Sequence, residues 1–450
     1  INTSSIMSEA LTQRIKELEG ELEKLRSQLN SKKGKKASKE RPFDFSIHPK
    51  RHVALRLAYL GWAYQGFAVQ ENTDNTVEAR LFEALLKTRL IQDRQSSNYH
   101  RCGRTDKGVS AFSQVITIDV RSTQFCGGLG VILPENVDVS TKTKSDVPEL
   151  PYVKILNRVL PQDIRILDWA PVAEGFSARF DCQSRTYRYY FPRGCLDVSV
   201  MAEAAKRYEG THDFRNLCKM DVGNGVLQFE RTILSASVKP VKPQHGGSTD
   251  QYDLYVFEVK GLAFLYHQVR CMMAVLLLIG QKLETPEIID QLMDVEKNPR
   301  KPQYSMAVDY PLVLYDCHFE GLSWKQELEE VNHVLTTLQQ HWTQSTVRAH
   351  VLHGMMSGLE AIESSNHCCL VEGSRQKNYR PLLERPCCES LESRIDHFVK
   401  RGRLEREEGE DGGETVHRGK RSKHFHNSSS PSVASEILSL NQNTNQNEEN

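Results

Sequence analysis

In RCGRTDKGVS, residues 101–110, one carboxylate, Asp106, stands between Arg104 and Lys107, with Gly103 and Gly108 on either side. Neighbouring cations favour an ionised carboxylate, and glycines let the backbone approach a ligand closely. That composition suits a nucleophile or an anchoring anion. The same residues also make a plain tight turn, T-D-K-G, ahead of the strand-forming run SQVITIDV. A lone carboxylate excludes the two-carboxylate glycosidase arrangement unless a second acid comes from elsewhere.

Two further segments carry chemistry. In SRTYRYYF, residues 184–191, Tyr187, Tyr189 and Phe191 share one face of a strand, with Arg188 and Tyr190 on the other. A tyrosine ring beside arginines suits an extruded nucleobase, the ring stacking and the guanidinium groups holding phosphate. Aromatics on a strand also simply fill a core, so one or two of these tyrosines at most are candidates for function. In GLAFLYHQVRCMMAVLLLIG, residues 261–280, Arg270 lies within an apolar helical run. An unpaired buried charge is costly, so Arg270 needs an anion such as Asp106, or else caps a carbonyl or snorkels to the surface. His267 reads as structural.

The elements that position these residues alternate between strand and helix. VALRLAYL (53–60) alternates as a half-buried strand, followed by the Gly- and aromatic-rich loop GWAYQGFAVQ. NTVEARLFEALLKTRL (75–90) predicts a capped helix with Val77, Leu81, Phe82, Leu85 and Leu86 on one face. After SQVITIDV (113–120), residues 126–151 read as an irregular insertion. A second series follows: a helix in VKILNRVLP, a strand in IRILDWAPV, two strands in FSARFDCQSRTYRYYFP and a helix in VSVMAEAAKRYEG. Strands in TILSASVKPV and QYDLYVFEVKG and the long apolar helix at 261–280 complete it. Two similar halves of this kind predict an α+β protein.

Outside these halves, Ile15, Leu18, Leu22, Leu25 and Leu29 form a short heptad seam, and SKKGKKASKERP is a basic arm. The expected organisation is an N-terminal heptad helix and arm over 1–50 and catalytic halves over 51–170 and 171–325. A helical extension over 326–390 and a disordered charged tail over 391–450 follow. The longest apolar run, residues 271–280, is too short to span a membrane, and the N-terminal stretch lacks the apolar core of a signal peptide. Net charge is zero, so nucleic-acid binding would need local basic patches. The 11 cysteines show neither C-x-x-C nor zinc-finger spacing and read as reduced thiols. The doublets Cys368–Cys369 and Cys387–Cys388 read as buried small residues or, alternatively, as metal ligands.

Taken in order, YLGWAYQGFAVQE, GRTDKGVSA, FSARF, SRTYRYY, HDFRN, LAFLYHQVR and SMAVDYPLVL resemble the TruA family of tRNA pseudouridine synthases over residues 52–320. The composition is most similar to the eukaryotic branch that modifies positions 38 and 39 of the anticodon stem-loop. The resemblance implies the pseudouridine synthase fold, with two ferredoxin-like halves joined in a central antiparallel sheet. It also implies a homodimer, tRNA as partner, and isomerisation of uridine without metal or organic cofactor. By the same resemblance Asp106 is the catalytic aspartate and Arg270 its basic partner, keeping it ionised. Tyr187 stacks on the target base, Arg104 enters the helix and helps flip the uridine, and Leu312 packs near the base; Lys107, beside Asp106, is a further substrate-binding candidate that the resemblance does not supply. Lys107, Ser110 and Pro311–Leu312 depart from the bacterial pattern, which leaves specificity and the local pocket wall open. The rival readings are an RNA-binding protein without catalysis, a nucleoside glycosidase, and a structural partner acting through the heptads. The basic clusters at 31–36 and 418–424 suggest residence in the nucleus as well as the cytoplasm.

Overall fold

KRHVALRLAY forms β1, Lys50–Tyr59, which is buried on both faces rather than half-buried as its alternation predicts, with Val53, Ala54, Leu55 and Leu57 at or near zero exposure. The computed structural model describes residues 20–21, 43–135, 147–242, 250–360, 362, 370–373, 378–408 and 414–418. The seam residues Ile15 to Leu29, the basic arm and Cys368–Cys369 lie outside them. The chain divides into two compact units, Ile1–Arg51 with Arg121–Leu150, and His52–Val120 with Pro151–Asn450.

In the larger unit, Thr76 caps α1 (Val77–Lys87) by accepting from the Ala79 amide. Val77, Leu81, Phe82 and Leu85 are buried as the spacing predicts, but Leu86 in the last turn is exposed. β2 (His100–Arg101) and β3 (Ser110–Arg121) bracket the aspartate segment. In the smaller unit, β4 (Val131–Ile132) pairs with Lys50 and Arg51, and Arg51 reaches Glu149 at 3.0 Å. The stretch read as irregular therefore holds a short strand.

The larger unit continues through α2 (Tyr152–Asn157), β5 (Ile164–Pro171), β6 (Ser184–Pro192), α3 (Val198–Lys206), β7 (Gly210–Asp213), β8 (Glu230–Pro240) and β9 (Leu254–Gly261). Next come α4 (Gln268–Gly280), α5 (Ile288–Met293), β10 (Leu312–His318) and α6 (Leu328–Glu360). Its sheet runs β1-β3-β10-β6-β9-β8-β7, with β5 also on β1 and β2 on β3. The expected all-antiparallel sheet is corrected: β10 lies parallel to β3, pairing Val313 with Ser110, so the sheet is mixed. Of the two strands expected in 176–192, only β6 forms, because residues 177–181 close a turn in which the Asp181 carboxylate accepts from the Ser177 amide. The tail expected to be disordered from 391 instead carries α7 (Leu391–Lys400) and a hairpin of β11 (Leu404–Glu408) with β12 (Glu414–Arg418). Phe398 packs these residues on the core, an anchorage that local composition does not reveal.

α4 is buried along its whole length and forms the centre of the apolar cluster with Tyr189, Phe191, Tyr208 and Phe257. It is shorter than the apolar run predicts. Residues 262–267 cross as a turn, His267 adopts φ 60°, and the Gln268 side chain accepts from the Leu265 amide. Arg270 therefore sits in the first turn of α4 rather than in mid-helix.

Candidate active site

The aspartate segment is held by its own turn and by the loop after β1. The Val109 amide donates to the Asp106 carbonyl, closing a tight turn whose third residue, Gly108, has φ +77°. Gly108 donates to the Tyr64 carbonyl, Phe67 donates to the Thr105 carbonyl, and Gly61 donates to Ser110 Oγ at 2.9 Å. The Gln114 amide group bonds both the amide and the carbonyl of Gly103. The plain turn read from sequence forms, and it holds the candidate carboxylate in place.

Contact at Gly61 is too close for any other residue: a Cβ there would lie 1.9 Å from the Val109 carbonyl oxygen. Gly61→Ala is expected to displace the aspartate turn and to destabilise the protein by about 1–3 kcal/mol or more. Thermal unfolding checks the second effect. An unchanged melting temperature together with unchanged activity would show that the loop does not support the turn.

Around Asp106 the larger unit gathers cations. Arg104 and Lys107 are exposed beside it. Partial desolvation and repulsion from Arg101 and Arg179 lower the pKa of Arg104. Arg101 is anchored at 2.7 Å by Glu78, a carboxylate only 1% exposed. Burial pushes Glu78 up, but Arg101, the Val69 amide and Arg94 more than offset this and hold it below the usual carboxylate range. Lys219 and Arg270 add positive potential at Asp106 itself. A chain with no net charge therefore has a local basic surface, as nucleic-acid binding would require.

The expected Asp106–Arg270 pair needs correction in geometry. Arg270 Nε donates to the Ala307 carbonyl at 2.8 Å, and Nη2 lies 3.9 Å from Oδ2 of Asp309. Arg270 acts on Asp106 through its field, with Asp309 as its nearer carboxylate. That field only partly offsets burial, and the carboxylate remains mostly ionised near neutral pH. Desolvation raises the Asp106 pKa to about 6; Arg270 and Lys219 oppose the rise and Asp309 adds to it.

His267, read as structural, places Nε2 3.5 Å from Asp106 Oδ2. Burial and the charge of Arg270 push His267 down to about 4, so near neutral pH a neutral imidazole faces the carboxylate. Its Nδ1 is buried and without a hydrogen-bond partner among the described residues. Asp309, not singled out from sequence, and His267, read there as structural, both stand at the candidate site. Their positions within SMAVDYPLVL and LAFLYHQVR were the available signal.

On β6, Tyr187 pairs with Val259 of β9 and Leu314 of β10, and Phe264 meets its ring edge-on at 5.0 Å. Burial, and among smaller effects the charge of Asp106, raise the Tyr187 pKa well above normal. Tyr187 and Asp106 are thus electrostatic neighbours. Tyr189 is wholly buried in the core, which leaves Tyr187 as the candidate stacking ring. Leu312 lies opposite Tyr189 and is 4% exposed, whereas the neighbour of Tyr187 across the strands is Leu314.

A family profile described as tRNA pseudouridine synthase matches residues 204–320. A human protein named tRNA pseudouridine(38/39) synthase is 53% identical over 439 residues, covering 90% of this chain and 90% of its own length. The chain belongs to the TruA family of tRNA pseudouridine synthases. Other relatives are a Saccharomyces cerevisiae tRNA pseudouridine(38/39) synthase, 44% identical over 65% of this chain and 63% of its own, and a Thermococcus onnurineus tRNA pseudouridine synthase A. The latter is 29% identical over 68% of this chain and 99% of its own. Within this TruA-family chain the profile includes Arg270, Asp309 and Leu312, while Asp106 and Tyr187 precede it.

Proposed function

We propose that this chain is an isomerase that converts uridine to pseudouridine at positions 38, 39 or both of the tRNA anticodon stem-loop. One observation carries the reading: a partly buried carboxylate, Asp106, faces Arg270, His267 and the Tyr187 ring within a basic surface. Asp106 attacks the flipped nucleotide and the N-glycosidic bond breaks. The uracil turns, carbon 5 bonds ribose C1′, the bond to Asp106 breaks and restores the carboxylate, carbon 5 gives up its proton and N1 takes one. Composition is unchanged, so the isomerisation needs no redox partner or group donor.

Extruding a base costs a few kcal/mol, and less at the loop end of a stem. Stacking on Tyr187 returns about 1–3 kcal/mol. Arg104 and Lys107 hold the backbone, and Leu312 supports the pocket wall through Tyr189. Two ferredoxin-like halves meeting at the β3–β10 junction fit the sheet order. Homodimerisation is supported by α6, where Leu335, Trp342, Val351, Met355 and Leu359 are exposed. No described helix is long and apolar enough to cross a membrane. Nuclear and cytoplasmic residence rests on the two basic clusters.

The test maps pseudouridine in unmodified tRNA transcripts after incubation with the full chain. New pseudouridine at 38 or 39 is expected, with tRNA affinity falling steeply as salt rises because phosphate contacts release counterions. Tight binding without pseudouridine on any transcript would favour the non-catalytic RNA-binding reading. Release of free uracil would favour the glycosidase.

A further inference from the structure

Three cysteines far apart in sequence converge behind the aspartate segment. Cys102 follows β2, Cys182 precedes β6 and Cys317 lies in β10. All three are buried and none is in a disulfide. Their sulphurs lie within 4.8 Å of one another. Zinc–thiolate bonds of about 2.3 Å place tetrahedral sulphurs roughly 3.8 Å apart, so a small contraction would bring these three onto one ion.

We propose that Cys102, Cys182 and Cys317 form a structural zinc site that ties the aspartate segment to β6 and β10. Charge supports zinc over a monovalent thiophilic ion. Three thiolates and Zn²⁺ leave one negative charge, and one guanidinium stands there to balance it. Arg185, paired with Cys317 across the strands, donates through Nη2 to the Cys102 carbonyl at 3.1 Å. The fourth position falls to water or to the Ser184 carbonyl, 3.4 Å from Cys182 Sγ. Burial fits acquisition during folding, since structural zinc sites are closed and contribute folding free energy. The position gives the ion a purpose: Cys102 precedes the Arg104–Asp106 stretch, and Cys317 shares β10 with Leu314, the neighbour of Tyr187. The ion takes no part in the isomerisation. The reduced-thiol reading of the cysteines is replaced at these three positions only; Cys387 is exposed and Cys388 half-exposed, not buried as read from sequence.

The test measures metal in the full chain, expressed with zinc and purified without chelator. About one zinc per chain is expected, released when the thiols are titrated with an organomercurial and followed with a colorimetric zinc indicator. Cys182→Ser and Cys317→Ser should each lose it, whereas Cys387→Ser should keep it. Cobalt exchanged into the wild-type chain should show a thiolate-to-metal charge-transfer band. Less than about a tenth of an equivalent of zinc and no cobalt band, with the three thiols reduced, would overturn the proposal. So would a disulfide within the trio, or zinc retained by folded Cys182→Ser and Cys317→Ser proteins.

Discussion

Asp106→Asn is expected to lower pseudouridine formation by at least about 10⁴-fold while leaving tRNA binding within about twofold, because it removes the nucleophile and keeps the shape. Single-turnover kinetics and a filter-binding titration check the two halves separately. A second consequence follows from the raised pKa. The folded-state value is about 6, above the ordinary aspartate value of 3.8. Between those values the folded chain binds more protons than the unfolded chain, so stability falls as pH rises through the window. The difference corresponds to a destabilisation of roughly 3 kcal/mol, fully present above about pH 6 and absent below about pH 4. Asp106→Asn should therefore be more stable than wild type at pH 7.5, by about 1–3 kcal/mol, and no more stable near pH 4. Wild-type kcat/KM should in turn rise with pH through about 6 as the carboxylate ionises. A variant that kept activity, or that gained stability equally at both pH values, would remove Asp106 from the centre of the site.

Much of this was legible from residue types at short range. Asp106 between cations in a glycine-flanked turn, Tyr187 on an alternating strand and Arg270 in an apolar run each announced a chemical need locally. The partners that meet the need are non-local. Asp309 reaches Arg270 only because β10 pairs with β3 and β6, bringing the residues just before it to the aspartate turn. The parallel β3–β10 pairing has no signature in either strand. His267 was misread because residues 262–267 are apolar enough to look helical. The left-handed backbone at His267 ends that pattern and aims the ring at Asp106. Cys102, Cys182 and Cys317 are 80 and 135 residues apart, beyond any spacing rule. Leu312 versus Leu314 is a question of strand register, which the sequence leaves open.

Arg270 and Asp309 should shift the pH profile in opposite directions. Arg270→Gln removes the largest charge favouring ionised Asp106 and leaves Asp309, which disfavours it, without its cation. The midpoint of kcat/KM should move above 6, by about one to two pH units, and activity near pH 7 should fall by about two- to tenfold, with recovery as pH is raised. Asp309→Asn removes a repelling carboxylate, so its midpoint should move below 6. The double variant should lie between them and regain stability relative to Arg270→Gln, because neither charge is then left unpaired. The Arg270–Asp309 separation of 3.9 Å and the partial exposure of Asp309 keep that coupling at about 1–2 kcal/mol, below the range for a fully buried pair. If the profile stayed at 6 in both single variants while activity fell, Arg270 would be acting by direct contact with the RNA. If both midpoints moved up, Asp309 would be stabilising the ionised aspartate instead of opposing it, and the electrostatics of the site would have to be reassigned.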